Sequence, residues 1–397
     1  MKHYDVVIAG GAMAGASLAI ALDVLSGQAL RIAVVEAVMP EFGTHPGYDS
    51  RSIALSYGTT RLLDNIGMWS ALKQVSTSIE DIHVSDRGHA GMVRISAQEQ
   101  AVDALGYVIE LADAGEIFHK KIQQIDNIEM YCPASVQQVE RSQEKATIML
   151  DNGESLSTSL LVAADGAISH CCQLVNIGRS EYDFEQTAII ANITTAESHQ
   201  NQAFERFTEH GPVALLPMSQ GRSSLVWCVP PEQQQAIMAL SDTEFLAKLQ
   251  QAFGWRLGEL TQAGQRACYP LLLRQSNALV SHRVAVVGNA AQTLHPIAGQ
   301  GFNLGIRDVM TLAEEIVSGA LQGKDIGLPE VLSRYRERRT PDRQSTIMMT
   351  AGLVSIFAND NFLFTAGRNV GLAAMSLSKT LKAPLLRRAM GQVERSL

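Results

Sequence analysis

The N-terminal residues have the pattern of a strand, a glycine-rich turn, a helix and a second strand. Residues 4–10 (YDVVIAG) form a β-branched apolar run typical of a buried parallel strand, and residues 11–25 (GAMAGASLAIALDVL) change to an alanine-rich helical pattern. Residues 31–37 (RIAVVEA) return to a strand pattern. Parallel strands need a crossover connection, which the helix supplies. This order predicts an α/β fold built on a βαβ unit.

The turn after the first strand has the spacing of a dinucleotide-binding fingerprint, with one departure. Gly10 permits the tight turn, Gly15 lets the helix approach the strand, and Ala12 stands where the fingerprint has its middle glycine. A methyl group at Ala12 crowds a pyrophosphate without excluding it, and the helix N-terminus still offers amide donors. Glu36 ends the second strand, where it can accept hydrogen bonds from a ribose diol. The pattern favours FAD or NAD over NADP; the alternative is a nucleotide-free α/β protein with a glycine turn.

Composition and charge limit the function classes. Of the 397 residues, 46% are apolar and 18% are charged, which is typical of a globular chain long enough for two domains. The net charge of −8 argues against a general nucleic-acid binder, because no global positive field would attract phosphates. We expect no metal site, since the histidines show no HExxH-like pairing and the cysteines no zinc spacing. With no signal-peptide pattern and no apolar run long enough to span a membrane, we expect a cytoplasmic protein with reduced thiols.

The middle of the chain is rich in strand patterns. Residues 186–229 contain β-branched and aromatic runs that indicate a curved antiparallel sheet, which lines a substrate pocket or forms a plain core. Residues 283–291 (RVAVVGNAA) then return to the first sheet, so the nucleotide-binding domain is discontinuous. The predicted division is a nucleotide-binding domain at 1–70, 111–185 and 276–345, a substrate domain at 71–110 and 186–275, and a C-terminal helical segment at 346–397.

A long glycine-rich segment without charged side chains, GNAAQTLHPIAGQGFNLG (residues 288–305), separates a strand pattern from a helical one. Turns at the carboxyl ends of parallel strands are where open α/β sheets bind ligands, and glycine lets the backbone approach them. The helix beginning near Gly301 would direct its positive end at the ligand and stabilise negative charge there, such as that on a reduced flavin. Asn289 can hydrogen-bond a polyol chain through its amide, as a neutral substitute for aspartate.

These motifs, together with DSRSIALS (49–56) and VAADG (162–166), resemble the single-component FAD-dependent aromatic hydroxylases, in particular their ubiquinone-biosynthesis branch. Within that branch, HVSDRGHAG (83–91), FERFTEHGP (204–212) and SLVWC (224–228) are most similar to the enzymes that hydroxylate 2-octaprenyl-6-methoxyphenol. The resemblance implies a Rossmann-like FAD-binding domain of the aromatic hydroxylase type, with an inserted antiparallel β-sheet substrate domain and a helical C-terminus.

The resemblance also implies the site residues. The expected catalytic residues, which orient the substrate, are Arg51, His295 and Pro296, with His295 acting as a proton acceptor or else packing its loop. Cys172 stands where the wider family tends to have an arginine, so the arginine that contacts NADPH stays unassigned. From the ADP half to the flavin ring, the implied FAD-binding residues are Gly10, Ala12, Gly15, Glu36, Asp165, Gly166, Asn289, Arg51, Pro296, Gly299, Gln300, Gly301 and Asn303.

The implied activity is that of an FAD- and NADPH- (or NADH-) dependent monooxygenase. It would use O2 to hydroxylate a prenylated phenol, expected to be 2-octaprenyl-6-methoxyphenol, through a flavin C4a-hydroperoxide. The alternatives are a flavin oxidase or dehydrogenase, and a non-catalytic FAD-binding subunit of a biosynthetic complex. Residues 362–390 combine an apolar pattern with lysine and arginine, which suits peripheral contact with the inner face of the cytoplasmic membrane or packing on the FAD domain. Other ubiquinone-biosynthesis proteins are further expected partners.

Overall fold

The computed structural model describes residues 1–39, 51–87, 91–357, 383 and 386–392. The strands of these residues, in chain order, are β1 (Lys2–Ala9), β2 (Ile32–Val35), β3 (Ser52–Ser56), β4 (Thr77–Ile79), β5 (Asp81–Asp86), β6 (Met92–Ser96), β7 (Gly106–Glu110), β8 (Ile128–Tyr131), β9 (Val136–Arg141), β10 (Ala146–Leu150), β11 (Ser155–Ala163), β12 (Arg179–Thr195), β13 (Gln202–Thr208), β14 (Gly211–Pro217), β15 (Arg222–Val229), β16 (Leu260–Ala263), β17 (Ala267–Ser276), β18 (Val280–Ser281), β19 (Val284–Val286) and β20 (Gln292–Thr293). The α-helices are α1 (Met13–Ser26), α2 (Tyr57–Asn65), α3 (Trp69–Gln74), α4 (Leu111–Ile122), α5 (His170–Leu174), α6 (Pro231–Met238), α7 (Asp242–Phe253), α8 (Gln300–Leu321) and α9 (Pro329–Phe357).

The first sheet is built around the predicted βαβ unit. Its central strands run parallel in the order β19-β11-β1-β2-β8, while β18 pairs antiparallel with β19, and β10 and β9 extend antiparallel from β11. The successive residues Val6, Val7 and Ile8 of β1 are all buried, so both faces of this strand are covered. Helix α1 packs against both α4 and α8. The carboxyl ends of β1, β2, β11 and β19 therefore lie together at one edge.

The second sheet has the order β20-β17-β12-β15-β14-β13-β5-β6, with β16 pairing β12. Its described pairings are antiparallel except that of β13 with β5, which is parallel. Helix α7 contributes Phe245, Leu249 and Phe253 to a buried cluster that also contains Ile189 and Trp227 of the sheet. A smaller sheet, β3-β7-β4, is formed by residues between the βαβ unit and α4.

These elements confirm the predicted fold class, with the parallel β13–β5 pair as a departure from a purely antiparallel second sheet. The predicted domain boundaries stay a proposal, which the separate buried clusters of the two large sheets support. Residues 49–50 and 88–90 of the quoted motifs, and most of the predicted C-terminal tail at 362–390, lie outside the described residues. No helix in the described part of the chain is long and apolar enough to cross a membrane.

Candidate active site

A cleft of about 690 Å³ lies at the carboxyl edge of the first sheet. It is lined by the segments that directly follow β1, β2, β11 and β19, which is where a doubly wound sheet binds its ligand. Among the described residues, no group of three or more histidine, cysteine, aspartate or glutamate side chains is arranged to hold a metal ion. The predicted residues that line the cleft are Gly10, Ala12, Glu36, Arg51, Asp165, Gly166, Asn289 and Gly301.

The glycines of the first turn have different roles. Gly10 has φ +99°, and a Cβ atom there would lie 2.5 Å from the carbonyl oxygen of Ala164. Gly15 does not line the cleft; a Cβ atom at Gly15 would lie 1.8 Å from the carbonyl oxygen of Gly10. Gly10 therefore allows the chain to pass between two strand ends, and Gly15 allows α1 to begin directly against the turn.

Glu36 is fixed by the backbone around it. Its Oε2 accepts a hydrogen bond from the Gly11 N–H (2.6 Å), and its Oε1 accepts one from the Val38 N–H (3.0 Å). The carboxylate lines the cleft at the end of β2, about where the fingerprint places the ribose of an adenosine. Glu36 thus joins the glycine turn to the second strand while it presents an acceptor to the cleft.

Replacing Glu36 with alanine should raise the dissociation constant for FAD at least about tenfold, because the support of the Gly11 turn is lost together with the charged hydrogen bonds that Glu36 would make to the ribose. Titration of the apoprotein, followed by flavin fluorescence, measures this constant. The matched control is Glu129→Ala, which removes a carboxylate bonded to Lys2 and Tyr4 in the same sheet but away from the cleft. Equal dissociation constants for the two variants would contradict the assignment of Glu36.

Asp165 shapes the loop after β11. Its carboxylate accepts hydrogen bonds from the Ser169 hydroxyl (2.5 Å) and from the Cys171 N–H (2.9 Å), while Ser169 also caps α5 by accepting from the Cys172 N–H (3.0 Å). Gly166, with φ +87°, turns the chain at the cleft wall. The Asp165–Gly166 pair therefore builds this wall. Cys172 itself is buried behind the loop.

The glycine-rich segment brings the end of β19 against two helices. Gly288 has φ +62°, and a Cβ atom there would lie 2.7 Å from the Cβ of Ala14 in α1. Gly305 of α8 faces Gly288 closely, since its own Cβ would lie 3.3 Å from the Gly288 Cα. Asn289, which follows Gly288 in the chain, is exposed and lines the cleft. The glycines thus allow the close packing that places the Asn289 amide at the cleft.

Helix α8 begins at the cleft. Gly299, with φ +59°, is its N-cap, and Gly301 in its first turn lines the cleft with nothing within 4 Å of the position of a Cβ atom. The free amide groups of a first helical turn and the helix dipole both favour negative charge. This geometry bears out the expectation that a helix begins near Gly301.

Several predicted residues support the site from behind rather than line it. Asn303 is 1% exposed; its amide donates to the carbonyls of Ala54 (2.9 Å) and Gly299 (2.6 Å) and accepts from the Ser56 N–H (2.8 Å). Gln300 is also buried and donates to the carbonyl of Ala389 (3.1 Å). Asn303 therefore fixes the start of α8 to β3, the strand that follows Arg51.

His295 is buried and bonded at both ring nitrogens. Its Nδ1 accepts from the Ile297 N–H (3.2 Å), so its Nε2 carries the proton and donates to Oε1 of Gln186 (3.0 Å). Burial lowers the pKa of His295 to about 4. The carbonyl of the adjacent Pro296 accepts from the Gly299 N–H (2.9 Å). Neither His295 nor Pro296 lines the cleft, which favours the loop-packing alternative; their catalytic roles stay predictions.

The apolar lining of the cleft was not predicted from the sequence. Met13 and Phe302 directly follow the two glycine turns, and this position was a signal that could have identified them. Ile53 and Leu111 reach the cleft through the β3–β7 pairing, after which the Leu111 N–H donates to the Arg51 carbonyl (2.8 Å). That pairing joins distant segments, so no local pattern marks these two residues.

The described residues fit a flavin dinucleotide. Two helices begin at the cleft, at Met13 and Gln300, and supply amide donors for a pyrophosphate and an anionic ring. Glu36 presents to the cleft a carboxylate that could accept hydrogen bonds from a ribose, and Asn289 presents an amide that could bond to a polyol. The backbone approaches the cleft closely at Gly10, where no side chain fits. The arrangement can hold a long, doubly charged cofactor beside an apolar wall.

Comparison with known proteins gives the same cofactor. The sequence pattern of the family described as "FAD binding domain" matches residues 3–350. The chain is 35% identical to the ubiquinone hydroxylase UbiL of Rhodospirillum rubrum, over 99% of this chain and 91% of the relative. It is 28% identical to the 3-demethoxyubiquinol 3-hydroxylase of Escherichia coli over 98% of each chain. Its fold is similar to the crystal structure of p-nitrophenol 4-monooxygenase PnpA from Pseudomonas putida, with a TM-score of 0.81 and 17% identity over 99% of this chain and 100% of that one.

Proposed function

The chain belongs to the FAD-binding-domain family of flavin-dependent aromatic monooxygenases, and on that premise we propose that it hydroxylates the ring of a prenylated phenol in ubiquinone biosynthesis, with 2-octaprenyl-6-methoxyphenol as the substrate. The observation that carries the proposal is the convergence of Gly10, Glu36, Asn289 and Arg51 on one cleft. The identity of 35% to a ubiquinone hydroxylase over nearly the full chain supports the substrate class.

In this proposal, the chain supplies binding and orientation. Bound FAD supplies the redox chemistry by which NAD(P)H and O2 are used. The amides at the start of α1 hold the pyrophosphate, Glu36 holds the ribose, and Asn289 holds the ribityl chain. The first turn of α8, at Gly301, stabilises negative charge at the flavin ring. The Glu36 carboxylate is fixed by the Gly11 and Val38 N–H groups, so little reorganisation of this side chain is needed when the cofactor binds.

The substrate would lie between Arg51 and the apolar residues of the cleft. The guanidinium of Arg51 stabilises the phenolate oxygen and so increases the electron density of the ring, which the hydroxylation needs. Ile53, Leu111 and Leu294 line the same cleft and exclude water from the reacting carbon. In this proposal, Arg51 activates the substrate, and His295 and Pro296 position the loop before α8.

Isotope labelling tests this function. We expect that the protein, loaded with FAD and given NADPH and heavy O2, converts 2-octaprenyl-6-methoxyphenol into a product with one heavy oxygen on the ring, detected by mass spectrometry. An unchanged phenol with bound and reducible flavin would contradict the substrate. The E. coli relative makes a demethoxyubiquinol the comparison substrate to include. Rapid NADPH oxidation with matching peroxide release would instead indicate an oxidase, and no turnover with either substrate would indicate a non-catalytic subunit.

The proposal includes a cytoplasmic location and association with the inner face of the membrane and with other ubiquinone-biosynthesis proteins. A polyprenyl substrate dissolves in a bilayer, so the enzyme must meet it at the membrane surface. Flotation with anionic vesicles, compared between the full chain and a chain that ends at residue 357, tests the predicted role of residues 362–390.

A further inference from the structure

A buried ionic network joins α8 to α9. Arg307 donates to Asp342 (Nε–Oδ2, 2.7 Å), and Arg339 donates both to Asp308 (Nε–Oδ1, 2.6 Å) and to Asp342 (Nη1–Oδ2, 2.7 Å). None of these four residues is more than 6% exposed. Burial alone would raise the pKa of Asp342, but the Arg307 and Arg339 guanidiniums outweigh this and hold that pKa below its usual range. Asp342 is therefore held charged between the two guanidiniums, and each of the four groups depends on the position of its partners.

The network extends to the glycine-rich segment through one neutral side chain. Gln292 donates to Asp308 (Nε2–Oδ2, 2.6 Å) and accepts from Arg343 of α9 (Nε–Oε1, 2.7 Å). The Arg343 Nη2 also donates to the carbonyls of Ala291 (3.0 Å) and Ser276 (3.1 Å). Gln292 is 2% exposed, so its amide is fixed from both sides. Arg343 thus holds two successive residues of the segment, Ala291 by its carbonyl and Gln292 by its side chain.

Ala291 and Gln292 follow closely after Gly288 and Asn289, which line the cleft. Ala291 closes the Gly288–Ala290 turn, since its N–H donates to the Gly288 carbonyl (3.0 Å). Asn289 lies in this turn, and Thr293, on the other side of Gln292, also lines the cleft. Any displacement of Ala291 or Gln292 therefore moves both Asn289 and Thr293.

We propose that Arg343 and Gln292 are positioning residues that hold the Asn289 turn in place for FAD. They do not line the cleft themselves and act through the backbone of residues 288–293. The inference rests on the proposed role of Asn289 in the FAD site. It assigns to α9 a part in cofactor affinity.

The test compares two pairs of variants. Arg343→Lys and Gln292→Ala break the contacts to the turn, whereas Arg307→Lys and Thr346→Ala disturb the other end of the same network. Thr346 is a suitable control because it is fully buried and accepts from Arg307 (3.3 Å) without contacting the turn. For each apoprotein, urea unfolding gives the stability and titration gives the FAD dissociation constant. We expect all four variants to be destabilised, and only the first pair to raise the FAD dissociation constant, by about tenfold.

The absorption spectrum of the bound flavin gives a second readout, because a displaced Asn289 turn changes the polar environment of the cofactor. We expect a shifted spectrum for the first pair alone. Equal FAD dissociation constants across the four variants would overturn the inference and leave the network a purely stabilising role. A wild-type protein that binds FAD but hydroxylates no phenol would overturn the proposed function, while the binding comparison would still decide the role of Arg343 and Gln292.

Discussion

Gly15→Ala should strongly destabilise the protein and weaken its binding of FAD. The added methyl group would lie 1.8 Å from the carbonyl oxygen of Gly10 and 3.2 Å from Cγ2 of Ile8, both at the carboxyl end of β1. Either α1 moves away from β1, or the Gly10 turn is displaced from the cleft. Because overpacking against backbone cannot be relieved by a side-chain rotation, we expect the free energy of unfolding to fall by about 3 kcal/mol or more.

Gly301→Ala is the matched control, since it is also a glycine in the first turn of a helix at the cleft. Nothing lies within 4 Å of the position of its Cβ atom, so we expect the free energy of unfolding to change by less than about 1 kcal/mol. Urea unfolding of the two apoproteins measures the contrast in stability, and FAD titration compares the Gly15→Ala protein with the wild type. A Gly15→Ala protein as stable as the Gly301→Ala protein, with the FAD affinity of the wild type, would refute the close approach of α1 to the turn.

The sequence predicted well those features that short-range patterns encode. The strand at 4–10, the helix at 11–25 and the strand at 31–37 correspond to β1, α1 and β2 within two residues at every boundary. Gly10 and Glu36 could be assigned because the turn and the strand end fix their place whatever the rest of the fold does. Their positions at the cleft follow from the geometry of the βαβ unit alone.

Other features depend on contacts between distant segments, and no local pattern carries them. Asn303 bonds to Ala54 and Ser56, which are about 250 positions earlier, so its role behind the cleft is invisible in the sequence. The parallel pairing of β13 with β5 likewise joins segments more than 100 residues apart. Arg343 and Arg339 lie in a strongly charged helix, and charge of this kind predicts a solvated face unless the partners on α8 are known.

His295 shows the same limit. Its position in the TLHP segment (residues 293–296) suggests a catalytic role, whereas its hydrogen bonds determine whether the imidazole is charged. Its Nδ1 accepts from the Ile297 N–H, and protonation of that nitrogen would place two N–H groups against each other. The amide of Gln186 faces the other nitrogen and is itself oriented by the hydrogen bond that it donates to the His210 carbonyl (3.1 Å). The loop before α8 is therefore built around a neutral imidazole.

This geometry predicts a loss of stability in mild acid that His295→Gln should abolish. The unfolded imidazole, with a pKa near 6.5, binds a proton at higher pH than the folded one, whose pKa burial lowers to about 4. The contribution of His295 to stability is therefore fully present above about pH 6.5 and is lost as the pH falls towards 4. At about 1.4 kcal/mol per pH unit, the loss amounts to about 3 kcal/mol.

Urea unfolding of the wild-type and His295→Gln apoproteins between pH 7 and pH 4.5 measures this loss, since all other titrating groups are common to both. We expect the wild type to be the more stable protein at pH 7 and the difference to shrink as the pH falls. A difference that stays constant with pH would contradict a depressed pKa.

The hydroxylation rate of the His295→Gln variant separates the two possible roles of His295. If His295 is the proton acceptor of the reaction, its loss should lower kcat by about 10²- to 10⁴-fold. A residue that only packs the loop should leave kcat nearly unchanged once the variant is saturated with FAD, because Arg51 and the start of α8 stay in place.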